Sequence, residues 1–159
     1  MAVHKLLDDL YEHSYSLIAI HSPLKDYRLA YFLNHQLSLK LKRTKDDFSY
    51  IENTSFSTFH YNDDTTDTAW HLITNISKNV VNETRDTDLF GIKSTTVLHY
   101  LVPEYKKVDY FLKIDNGDFF YQLNAVLKII NEMTHVVTAY TVDPNQLKSK
   151  NNLIFLSNA

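Results

Sequence analysis

The side chains of this chain that could do chemistry gather in three places. Glu104 and Asp109 are carboxylates on either side of Lys106 and Lys107, and His99 lies shortly before them. If residues 103–107 close a hairpin symmetrically, Val102 pairs with Val108, Tyr100 with Tyr110 and Leu98 with Leu112, all six on one face. The other face then carries His99 diagonal to Asp109, and with Glu104 these form a small polar site. The structural alternative gives Asp109 the work of holding backbone N–H groups beside a turn, which is what carboxylates there most often do, and makes Tyr110 a core residue. Pro103 cannot donate to a strand ladder, so it ends one strand and stiffens the turn.

The second place is the pair His60 and His71. A symmetric hairpin about the Asn62–Asp67 turn sets Phe59 across from Trp70 and the two imidazoles diagonal on one face, where a metal could bridge them. No third ligand is fixed by the spacing, so ordinary hydrogen-bonded histidines are the simpler reading, and no metal or other cofactor is expected. Asp63, Asp64 and Asp67, with Asp86 and Asp88, lack the Gly and distal Glu of a calcium loop and read as solvated turns. The third place is the one basic run, Lys40, Lys42, Arg43 and Lys45. Lys40, Lys42 and Arg43 could meet a phosphate chain with tyrosines stacking on bases. The run is followed at once by Asp46 and Asp47, which disfavours nucleic acid.

Composition narrows the classes further. The 159 residues are 44% hydrophobic and 22% charged, ordinary for one globular domain, and the net charge of −3 provides no general attraction to polyanions. There is no cysteine, hence no thiolate zinc site, disulfide framework or cysteine nucleophile. Only two glycines occur, and no phosphate loop, dinucleotide fingerprint or Gly-x-Ser-x-Gly elbow is present. No catalytic residue is assigned. Residues 1–10 read neither as a signal core nor as a membrane span, so the cytoplasm is expected and a membrane is not.

The elements that must position these groups follow from periodicity. Tyr15 to His21 is an apolar run, and Pro23 to Ser38 reads as a helix with Leu29, Leu33 and Leu37 on one stripe. Period two then predicts strands at Leu39–Arg43, Phe48–Ile51, Phe56–Tyr61 and Thr68–Thr74. Asn75 to Lys93 has no clear period and reads as a long loop, tethered by Leu89 and Phe90. Strands at Ser94–Val102 and Val108–Ile114 flank the Pro103 turn. After an Asp115–Asp118 turn, Phe119–Met133 is a second helix with Leu123, Val126, Leu127 and Ile130 facing the core, and His135–Val142 and Leu153–Leu156 close the chain as strands. Consecutive strands joined by turns, with two long helices on one face, predict a single α+β domain over residues 1–159 with a predominantly antiparallel sheet of about six to eight strands.

The stretch Val102-Pro103-Glu104-Tyr105-Lys106-Lys107-Val108-Asp109-Tyr110 resembles the signature of the IPExxxVDY family of small bacterial proteins. Pro103, Glu104, Val108, Asp109 and Tyr110 match, and Val102 stands where the family has Ile. The similarity extends through Asp26–Ala30, Leu72–Asn75 and Leu147–Lys150. It implies a shared fold more than a shared reaction. The expectation is therefore a non-catalytic domain that binds a protein partner, or a second copy of itself, through an uncovered aromatic-rich sheet face or the 75–93 loop. Its alternatives are a small-molecule or enzymatic site at His99, Glu104 and Asp109, and RNA binding through Lys40–Lys45.

Overall fold

The first apolar run becomes the middle of the molecule. The computed structural model describes residues 15–83, 93–115 and 122–154. Tyr15–His21 forms β1, in which Leu17 and Ala19 are buried on one side and Ile18 and Ile20 on the other. A strand buried to both sides has no room for polar alternation. It is followed by α1 (Asp26–Leu37), β2 (Lys42–Arg43), β3 (Thr58–Asp63), β4 (Thr68–Thr74), β5 (Ile76–Glu83) and β6 (Lys93–Tyr100). Then come β7 (Tyr110–Asp115), α2 (Leu123–Glu132), β8 (Thr138–Val142) and a short α3 (Lys150–Ile154). Single 3-10 turns occupy Pro103–Tyr105 and Pro144–Gln146.

Six strands form one antiparallel sheet in the order β2-β3-β4-β7-β1-β8, while β5 and β6 pair in a separate two-stranded ribbon. The chain thus adopts the expected α+β fold with a mainly antiparallel sheet. Helices α1 and α2 lie on one face, where Leu29, Leu33, Val126 and Ile130 are buried against Ile18, Leu72 and Leu112, with Leu123 and Leu127 partly buried beside them. Helix α1 ends on Ser38 in the left-handed conformation (φ 55°), its N–H on the Asn34 carbonyl. Glycine usually fills this cap, and the chain uses serine. No helix among the described residues is long and apolar enough to cross a membrane.

Several expectations are overturned. The second sheet face is covered: Leu17, Ala19, Ile73 and Phe111 are buried there under Phe56, Leu101, Val102, Val108, Leu147 and Leu153. Residues 76–83, expected in a loop, are β5. Because β6 pairs with β5, and β7 with β4 and β1, the Pro103 segment does not close a hairpin, and Tyr100 faces Ile76 instead of Tyr110. Leu153 begins no strand; it sits in α3. The Phe48–Ile51 strand reduces to one bridge, Phe48 to Phe56. Leu89, Phe90, Asp86, Asp88, residues 116–121 and Leu156 lie outside the described residues.

Candidate functional site

The stretch from Val102 to Tyr110 is a loop of fixed shape built around one buried amide. Asn75, fully buried, ends β4 and begins the turn into β5. Its Nδ2 donates to the carbonyls of Tyr105 (2.8 Å) and Val108 (2.9 Å), and its Oδ1 accepts the Val102 N–H (2.9 Å). Its backbone N–H donates to the Asp109 carbonyl at 2.9 Å and its carbonyl accepts the Leu101 N–H at 2.8 Å. Both amide donors and the acceptor are therefore used. Asn75 closes the Leu72–Asn75 block of the resemblance, but its residue type does not announce this role, because a lone Asn is normally an exposed turn residue.

The residues from Pro103 to Tyr110 have separate surroundings. Asp109 Oδ2 accepts the Ser22 N–H at 2.8 Å, fixing the entry to α1. Tyr110 is buried, and its hydroxyl donates to the Leu24 carbonyl; burial, with Asp26 and Asp109 adding to it, pushes its pKa up to about 12. Glu104 Oε2 accepts from the Ser149 N–H (3.3 Å) and Oγ (3.1 Å). Asn152 Nδ2 donates to the Leu101 carbonyl at 2.8 Å, which pins the loop to α3. Val108 is buried, and Pro103 opens the 3-10 turn with its side chain exposed. His99 sits on β6 opposite Ser77. The expected diagonal of His99 and Asp109 does not form, because His99 lies in the β5–β6 ribbon while Asp109 leads into β7 of the main sheet. Asp109→Ala is expected to lose on the order of 1–3 kcal/mol by leaving the Ser22 N–H without its acceptor, and Glu104→Gln less than about 0.5 kcal/mol because Glu104 is exposed. Urea unfolding of the two variants beside the parent measures both.

The histidine pair is closer than the sequence suggested. The β3–β4 register is shifted by two residues, so His60 lies directly opposite His71 and Tyr61, not Phe59, faces Trp70. The two rings are 4.6 Å apart between centroids. His71 is buried, and its Nδ1 has no hydrogen-bond partner; Asp115 Oδ2 is 3.6 Å away. The same oxygen lies 3.4 Å from Lys113 Nζ, which stands 4.5 Å over the Tyr15 ring. Burial, helped by His60 and Lys113, pushes the His71 pKa down to about 3. Burial also lowers Lys113 and raises Asp115, while burial and Asp115 push Tyr15 up to about 12. Among the described residues no group of three or more His, Asp or Glu is placed to hold a metal ion.

The basic run divides between the sheet faces. Lys42 faces His60 across the β2–β3 pair, on the face of the histidines. Arg43 faces Phe59 on the helix side, bonded to Asp26 (3.3 Å) and Asp47 (2.5 Å) and stacked over the Phe59 ring. A guanidinium held by two carboxylates is poorly placed to meet a phosphate. Lys40 is exposed ahead of β2. Comparison of the chain with protein-family models, curated proteins and solved structures finds no match.

Proposed function

We propose that this protein is a non-catalytic domain, working in the cytoplasm and belonging to the IPExxxVDY family, that binds a protein partner through the β5–β6 ribbon. The observation that carries this reading is the exposure of Val80, Val81, Val97 and Leu98 on a ribbon set apart from the main sheet. Cross-strand pairing puts Val80 and Leu98 on one ribbon face and Val81 and Val97 on the other, so each face exposes two apolar side chains among polar ones. A lone two-stranded ribbon is marginal in water. Here its base is held by the Tyr50 hydroxyl on the Tyr100 carbonyl (2.8 Å) and by the Ser55 N–H on Ser77 Oγ (2.8 Å).

The outer edges of β5 and β6 have no strand partner among the described residues, and a row of unpaired backbone groups is a template for another strand. The occupant is therefore an extended segment of another protein, rich in β-branched residues and low in charge, matching Val80, Val81, Thr95, Thr96 and Val97. A site at His99, Glu104 and Asp109 is less well supported, since each of these residues has separate neighbours. RNA binding is weakened by the engagement of Arg43 with two acids.

The test is recovery of a stoichiometric partner with the tagged protein from its host, repeated with Val80→Lys/Leu98→Lys. The double variant should unfold at the parental temperature, lose at least tenfold in affinity, and lose the partner-induced hydrogen-exchange protection of residues 76–83 and 94–100. Undiminished binding by the variant, or co-purification of RNA alone, would overturn the reading.

A further inference from the structure

The strand registers align four basic side chains in one row across the covered sheet face. Lys42 on β2 is opposite His60 on β3, His60 opposite His71 on β4, and His71 opposite Lys113 on β7. Successive members are one strand spacing apart, about 4.8 Å in any sheet. The row runs from solvent to interior: Lys42 is exposed, His60 half-buried, His71 3% exposed and Lys113 fully buried. Like charges directly opposite one another destabilise a sheet. The described carboxylate that faces the row is Asp115, already shared between Lys113 Nζ and the edge of His71. Tyr15 on β1 closes the interior end with its ring over Lys113.

While both imidazoles are neutral, the row holds one paired cation inside and one hydrated cation outside, and no two cations are neighbours. A proton on His60 places a cation beside Lys42; a proton on His71 places one beside Lys113. We propose that this row is an acid-operated element, in which proton uptake by His71 loosens β2 and β3 from β4 while β7, β1 and β8 stay paired. The side that loosens is the one with least holding it, since β2 contributes only two residues at the sheet edge.

The sign follows from the burial of His71. Its folded value is lowered to about 3 from 6.5. An opened strand therefore binds a proton that the closed sheet refuses. The stability supplied by the neutral ring is complete above about pH 6.5 and falls as the pH drops toward 3, so the opening constant rises about tenfold per pH unit in that window.

Hydrogen exchange of the whole chain, corrected for the intrinsic pH dependence of amide chemistry, tests this between pH 7.5 and 5.5. The expected result is an opening constant for the amides of residues 58–62 and 69–73 that bond across the β3–β4 pair about tenfold larger at pH 5.5, with those of β7, β1 and β8 unchanged. His71→Phe, which fills the space without titrating, should abolish the increase, and Lys113→Met should reduce it. Equal pH dependence in the parent and His71→Phe would overturn the proposal. Should His71→Phe not fold, the ring signals of the parent decide. A His71 imidazole that stays neutral at pH 5.5 in the closed state supports the mechanism, and one that takes up its proton near pH 6.5 with no change in exchange overturns it.

Discussion

Replacing Asn75 by Ala is expected to lose roughly 3–5 kcal/mol of stability, read as a shift of the urea midpoint at unchanged slope. The substitution leaves the carbonyls of Tyr105 and Val108 and the N–H of Val102 without their partner, the last two of them buried from water. Each such group carries a desolvation penalty of about 1–3 kcal/mol. Asn75→Asp is nearly isosteric and is expected to be no better. It keeps the acceptor for Val102 but sets a carboxylate oxygen against two carbonyl oxygens. Because the 102–110 loop also holds Ser22 through Asp109 and Ser149 through Glu104, its loosening should speed hydrogen exchange at the start of α1 and in α3. A loss below about 1 kcal/mol for Asn75→Ala would mean that the loop keeps its shape by packing alone.

Lys113 provides the second large effect, and the replacement chosen separates charge from volume. Its ammonium is buried with Asp115 at 3.4 Å and Tyr15 beneath it. Lys113→Ala removes the ion-pair partner and empties the space of the side-chain stem, and should lose about 3–5 kcal/mol. Lys113→Met likewise leaves Asp115 without its partner but keeps most of the stem, and should lose about 1–2 kcal/mol less than Lys113→Ala because it opens no cavity. Asp115 retains some exposure to water, which eases the loss of its partner. Equal losses for the two variants would show that the charge, and not the packing, is what matters at this position. Thermal and urea unfolding at pH 7 measure the difference.

How legible this arrangement was depends on what pattern encodes. Thr68–Thr74 was readable as a strand to the residue, because its apolar side chains are bounded on both sides by polar turn residues. The stripe of Leu29 and Leu33 was readable because α1 buries one face only. Alternation says which face a side chain takes but not which strand it meets. Val102, Tyr100 and Leu98 therefore matched Val108, Tyr110 and Leu112 in a hairpin that does not exist. Ile76–Glu83 gave no strand signal for a different reason. Both ribbon faces are wet, and without a buried face there is no period to detect. The register of β3 and β4 was missed by two residues because Asp67 turns in the left-handed conformation (φ 50°), tightening a turn that looked longer. The buried row that runs to Lys113 could not be read at all, since it depends on which strands are neighbours.

The position of β1 has a consequence for how the chain reaches this state. Ile18 pairs with Leu112 on one side and with Thr141 on the other, so both neighbours of the strand are made long after it. Local hairpins such as β3–β4 can close within microseconds of emerging. The most apolar strand instead waits with both edges open until distant segments arrive, and closing such long loops makes assembly slow. During that wait Leu17, Ile18, Ala19 and Ile20 form an exposed, uncharged β-prone segment of the kind that self-associates. Synthesis rate and chaperone capacity, more than the depth of the native energy minimum, should then govern the yield of folded protein.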